Sequence, residues 1–177
     1  MQLRTGSILI AHPAHAVDEH QQKLILIIQN NDRKAIGLVL NDPSTIDMVQ
    51  LMQQHHVDWL GDSQVFVGGE YNVSSLVVLH SDEWYSSHTI QVDSGIAVSS
   101  DITMIQKMAM GNSPDWYRLF VGYAAWNPAE LAQELSSSKP KWLVLTHPSQ
   151  CLVESHPDDQ WSLAVEEYSQ ELFSNYI

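Results

Sequence analysis

Nine histidines and a single cysteine in 177 residues are the side chains from which a reactive site would first be built. Neutral imidazole and carboxylate are the usual nitrogen and oxygen ligands of zinc and its neighbours. His12, His15 and His20 fall in a loop-like segment with Asp18 and Glu19 close by, but no pair has the i, i+4 spacing of a helical His-Glu-x-x-His site. His55 and His56 are adjacent, so they point in different directions from a helix end where the dipole favours a cation anyway. No metal site is expected from these spacings. A nucleophile needs a base within hydrogen-bond reach. Cys151 sits between His147 and His156, but a lone cysteine is more often a small buried hydrophobe, and Cys151 is expected to be one. No Gly-x-Ser-x-Gly elbow occurs. Gly68 and Gly69 follow a strand-like run without the Gly-x-x-Gly or Gly-Lys-Ser continuation of a nucleotide loop, so they read as a tight turn, and no cofactor is expected.

The segment Leu119 to Pro128, Leu-Phe-Val-Gly-Tyr-Ala-Ala-Trp-Asn-Pro, runs from a buried strand through small residues and an aromatic into a helix start. Small residues permit close backbone packing, and a helix start offers unpaired N–H groups. The segment therefore suits a pocket wall, although Tyr123 and Trp126 would also serve simply to pack the corner.

The elements that must position these residues are mostly short and apolar. Ser7–Ala11, Leu24–Ile28, Ile36–Leu40, Val65–Val67, Leu76–Leu79, Ile96–Val98, Leu119–Tyr123 and Trp142–Leu145 read as strands, several buried on both faces because they lack polar alternation. Four helices are expected between them. The first starts at Ser44 with Asp47 completing a capping box and Ile46, Val49 and Met52 facing inward. The second runs from Asp101 to Gly111 with Ile102, Ile105, Met108 and Ala109 on one face. The third begins with Asn127 as cap, Pro128 at the first helical position and Glu130 three residues after the cap. The fourth starts near Pro157 and carries Trp161, Ala164, Val165, Tyr168 and Leu172 at helical spacing. Strands and helices do not alternate regularly, which points to an α+β fold with a mixed sheet. The length and the unbroken apolar composition point to one domain over residues 1–177.

Charge narrows the partners. Eight Lys and Arg oppose 21 Asp and Glu, a formal net charge of −13, and such a field repels nucleic-acid phosphates and anionic lipids. The basic residues occur singly or in pairs, so no basic stripe for nucleic acid is expected. No apolar run is long enough to span a membrane, and the opening residues Met1–Ile10 are too short for an export signal. One cysteine agrees with a reducing compartment, so the cytoplasm is the expected location.

An ordered set of motifs resembles the AlgH/YqgE family. Gly6-Ser7-Ile8-Leu9-Ile10-Ala11-His12-Pro13 is similar to its opening "G-x-L-L-I-A-x-P", Ala35–Pro43 to "G-x-x-G-L-V-I-N-x-P", and Val67–Glu70 to "G-G-P". Val78-Leu79-His80 resembles "V-L-H", and Gly122-Tyr123-Ala124-Ala125-Trp126 with Leu131, Glu134 and Leu135 resembles "G-Y-A-G-W-x-x-G-Q-L-E-x-E-L". The chain departs from the pattern at Glu70, at Ala125 and at Ala129-Glu130, and Asp18–Lys23 lacks the family's Phe and Arg, which marks a divergent member. The resemblance implies a mixed, bifurcated sheet curled into a pseudo-barrel with about four flanking helices. It implies no established catalytic activity or cofactor, and one branch of the family carries a transcriptional-regulator title.

The reading that follows is a non-enzymatic binding or regulatory protein, acting on an unidentified small molecule or protein partner. Its pocket is expected near Asn41, Gly68, Gly69, His80, Tyr123 and Trp126, residues that close strands or open turns, where a sheet presents polar groups. The alternative is a hydrolase-like enzyme using His80 as base, or His12 and His15 with a metal.

Overall fold

The computed structural model describes residues 3–15, 21–60 and 63–174. Nine strands are found among them: β1 (Ile8–Ala11), β2 (Leu24–Asn30), β3 (Ala35–Val39), β4 (Val65–Val67), β5 (Tyr71–Ser81), β6 (Ile90–Asp93), β7 (Ile96–Ser99), β8 (Tyr117–Trp126) and β9 (Trp142–Leu145). Their order is β6-β7-β5-β8-β3-β2-β1-β9, with β4 a further neighbour of β8. The β4–β8 pair is parallel and the other pairs are antiparallel, so the sheet is mixed, and it curls into a half-barrel.

The absence of polar alternation has the expected cause. In β1, Ile8 and Ile10 enter one hydrophobic cluster while Leu9 and Ala11 enter another on the opposite face. Strand β8 does the same, with Phe120 on one side and Leu119 and Val121 on the other. Each such fully buried aliphatic or aromatic side chain is worth roughly 1.5–3 kcal/mol of burial.

Five α-helices among the described residues flank the sheet: α1 (Met48–Gln54), α2 (Ile102–Ala109), α3 (Pro128–Ser136), α4 (Gln150–Glu154) and α5 (Pro157–Ser174). Helix α3 starts as its sequence dictates, the Asn127 side chain accepting from Glu130 N–H while Glu130 accepts from Asn127 N–H. Helix α2 is capped by Asp101 and closed by Gly111 at φ +86°, but Met104 is buried where Ile102 was expected, and Ile102 is exposed. Helix α5 packs Trp161, Ala164, Val165 and Tyr168 onto the body. No helix among the described residues is long and apolar enough to cross a membrane.

Three local expectations are corrected. Helix α1 starts at Asp47, whose carboxylate accepts from Val49 and Gln50 N–H, because Ser44 is engaged elsewhere: its N–H and Oγ both donate to the Val65 carbonyl. Met48 and Met52 therefore face the core, and Ile46 and Val49 are exposed. Strand β6 was hidden by its polar, exposed edge position. Helix α4 turns Leu152 and Val153 inward and leaves Cys151 exposed, so the cysteine is not the buried hydrophobe expected.

The sheet forks at β8. Residues 119–121 lie between β5 and β4, and residues 124–126 pair with β3. Gly68 joins the two arms, donating its N–H to Val121 O and accepting at its carbonyl from Val39 N–H, each 2.9 Å. A Cβ on Gly69 would stand 2.2 Å from the backbone of Tyr123 and Ala124, and one on Gly122 (φ +68°) would stand 2.5 Å from Gly69 O. The fork exists because these positions carry no side chain.

Candidate functional site: an open groove beside the fork

Beyond the fork, the strands spread and leave a groove of about 740 Å³. Its lining is drawn from several strands and one helix. Lys23 and Ile25 project from the β2 segment, Val39 from β3, Ala124 and Trp126 from β8 and Trp142 from β9, while Glu130, Gln133 and Glu134 descend from α3. The turn from β4 into β5 supplies Gly69, Glu70 and Tyr71, and Lys141 closes the opposite side. The hollow is made by small residues. Gly37 leaves room for the Ile25 side chain of the groove wall, whose Cγ2 would lie 2.5 Å from a Cβ placed there.

The polar groups are arranged in pairs. Lys23 Nζ lies 2.6 Å from Asp42 Oδ1, and Lys141 Nζ lies 3.8 Å from Glu134 Oε1. Trp142 Nε1–H donates to Glu134 Oε2 at 2.6 Å, fixing both side chains in the wall. Tyr71 stacks on Tyr123 with ring centroids 6.4 Å apart, so Tyr123 holds Tyr71 in place from below rather than lining the groove itself. Glu70 has no partner among the described residues. Aromatic walls with a few placed polar groups are what a small organic ligand requires.

Of the six residues expected in a pocket, Gly69 and Trp126 line the groove, Gly68 and Tyr123 support it from one layer behind, and Asn41 stands beside its rim at the Lys23–Asp42 pair. Asn41 is occupied by backbone: Leu24 N–H donates to its Oδ1 at 3.0 Å, and its Nδ2 donates to Gln22 O at 2.7 Å. It holds the entry to β2.

His80 is not part of this site. It pairs with Tyr117 in the β5–β8 ladder, nine positions from Trp126 along β8 and on the far side of the fork, a span of at most about 30 Å at the rise of an extended strand. It is fully buried and committed. Its Nδ1 lies 2.8 Å from the Ser81 carbonyl, which can only accept, so Nδ1 carries the proton. Nε2 then accepts from Ser99 Oγ–H at 2.9 Å, Ser99 Oγ accepts from Thr89 at 2.6 Å, and Ser86 N–H donates to Thr89 Oγ1 at 2.8 Å. Ser86 Oγ donates in turn to Asp101, the α2 cap. Burial pushes the imidazole pKa below its ordinary 6.5, with the Ser81 hydrogen bond opposing the shift.

Among the described residues, no three His, Cys, Asp or Glu are placed to hold a metal ion. Asp18, Glu19, His20 and the His15 side chain lie outside the described residues. His147 and His156 are exposed and each stands beside an acidic side chain, Glu171 and Asp158.

A forked, curled, mixed sheet flanked by helices, with a groove opening past the fork, defines an α+β domain. The AlgH-like family (DUF179) matches residues 8–172, and the chain belongs to that family. Relatives include a UPF0301 protein of Marinomonas sp., 27% identical over 88% of this chain and 84% of that one. A UPF0301 protein of Shewanella oneidensis is 26% identical over 93% and 90%. The solution structure of the AlgH protein from Pseudomonas aeruginosa shares the fold, with a TM-score of 0.79 and 24% identity over 94% of this chain and 92% of that one. A Corynebacterium diphtheriae protein of known crystal structure follows at 0.66 and 19%, over 90% and 80%.

Sequence reasoning missed Lys23, Tyr71, Lys141 and Trp142. Tyr71 could have been suspected as the aromatic following the paired glycines. The lysines and Trp142 come from segments over a hundred residues apart, and only the β1 bridge between β2 and β9 brings them together.

Proposed function

We propose that this protein is a non-enzymatic binding or regulatory protein whose groove beside β8 takes a small organic ligand. The observation that carries the reading is a hollow of about 740 Å³, within the size range of small-molecule sites, walled by Trp126, Trp142 and Tyr71. A hydrolase using His80 as base draws no support from a ring that is enclosed with both nitrogens engaged within the fold, and the His12–His15 alternative falls partly outside the described residues. Direct nucleic-acid regulation draws no support from a groove where four carboxyl side chains outnumber two lysines. We further take the chain as one domain located in the cytoplasm. Three hydrophobic clusters sharing one connected sheet support the first, and a single unpaired cysteine agrees with the second.

A library of small organic fragments screened by ligand-detected NMR tests the reading. Fragments are expected to bind the native protein and to lose binding with Tyr71→Ala. Fragments that bind both proteins equally would remove the groove as the site.

A further inference from the structure

We infer that the groove selects organic cations: an ammonium or guanidinium group carried on an apolar or aromatic body. The inference rests on the groove being the binding site. Its two lysines are already neutralised, Lys23 by Asp42 at 2.6 Å and Lys141 by Glu134 at 3.8 Å. That leaves Glu70, which has no partner among the described residues, and Glu130, which spends only Oε2 on the Asn127 N–H. The uncommitted charge facing the hollow is therefore negative.

Around it stand Tyr71 and Trp126, rings whose faces attract a cation more strongly than a neutral group of the same size. An anion would meet unpaired carboxylates inside a chain of net charge −13. A second copy of the chain, equally acidic, is a poor occupant for the same reason. The cavity volume suits a small molecule rather than a folded partner.

Three probes with one phenyl ring and different charge isolate the point: phenethylamine, 2-phenylethanol and phenylacetate. Each is titrated into the full chain while the indole N–H signals of Trp126 and Trp142 are followed by NMR. Phenethylamine is expected to bind roughly tenfold more tightly than phenylacetate, with 2-phenylethanol between, and salt at about 1 M should narrow the gap by screening. Glu70→Gln should cut the cation preference about threefold or more while leaving 2-phenylethanol affinity and the melting temperature unchanged. Glu130→Gln, which keeps a capping side chain, should add to the loss. Phenylacetate binding as tightly as phenethylamine, or a preference that survives both substitutions, would overturn the inference and leave the groove reading standing. If none of the three moves either indole signal, the groove reading falls with it.

Discussion

The two ends of strand β8 handle polar groups in opposite ways. At the Tyr117 end, the two buried ionisable side chains, His80 and Arg118, are spent inside the fold. His80 is tied through Ser99, Thr89 and Ser86 to the cap of α2. Its neighbour on β8, Arg118, donates to Leu40 O at 3.1 Å, Gln160 Oε1 at 3.2 Å and Ser155 O at 2.9 Å while lying over the Phe66 and Trp116 rings. No carboxylate among the described residues pairs with Arg118, and burial lowers its pKa to about 10. It clamps the end of β3 and the α4–α5 junction together, still charged at neutral pH. At the Trp126 end the lysines are paired, but Glu70 and the aromatic faces remain open to solvent. Burial and a perturbed pKa therefore mark the structural end here, and unspent partners mark the candidate functional one.

Substitutions should separate the two ends, and the fork between them should be the most sensitive. Gly69→Ala drives a Cβ into the Tyr123–Ala124 backbone, and about 3 kcal/mol or more should be lost in urea denaturation. Retention of native stability would show that the fork is not as tight as described. Arg118→Met should cost roughly 2–4 kcal/mol by stranding three buried acceptors, with phenethylamine affinity kept. A loss of affinity at unchanged stability would mean that this end also serves the ligand.

His80→Gln should cost about 1–2 kcal/mol near neutral pH and should also flatten a pH dependence. The folded pKa of His80 lies below 6.5. As pH falls below 6.5, the unfolded chain takes up a proton that the folded chain refuses, so stability present above 6.5 is lost toward the depressed folded value, at no more than about 1.4 kcal/mol per pH unit. Denaturation at a series of pH values above the range of the carboxylates should show this slope in the native protein and not in the variant. Asp82 and Glu83, which favour the charged ring, are the acidic groups whose fields limit it. The smallest expected change in stability is at Tyr71→Ala, where an exposed ring is removed: below about 1 kcal/mol, against a loss of roughly tenfold in phenethylamine affinity.

The residues made the scaffold legible and the groove obscure. Apolar runs such as Ile8–Ala11 and Leu24–Ile27 state their burial on both faces directly, and Asn127-Pro128 with Glu130 states a helix start, because these signals are local. Ser44 and Asp47 are also local but compete for the same helix. The choice fell to Asp47 through the contact of Ser44 with Val65, twenty-one positions away. In sequence, His80 groups with Trp126 because it follows the apolar run Leu76–Leu79. Strand β5 in fact continues to Ser81, and the antiparallel ladder with β8 carries His80 away from the groove. The groove itself gathers one to three residues each from β2, β3, β8, β9 and α3, and no one segment carries enough of it to be read alone.

The most direct test measures stability and phenethylamine binding side by side in Tyr71→Ala and His80→Gln. Tyr71→Ala should lose binding while its denaturation midpoint hardly moves, and His80→Gln should lose stability while its binding isotherm matches the native protein. The opposite pattern, with binding lost at His80 and kept at Tyr71, would contradict the assignment of function to the open end of β8.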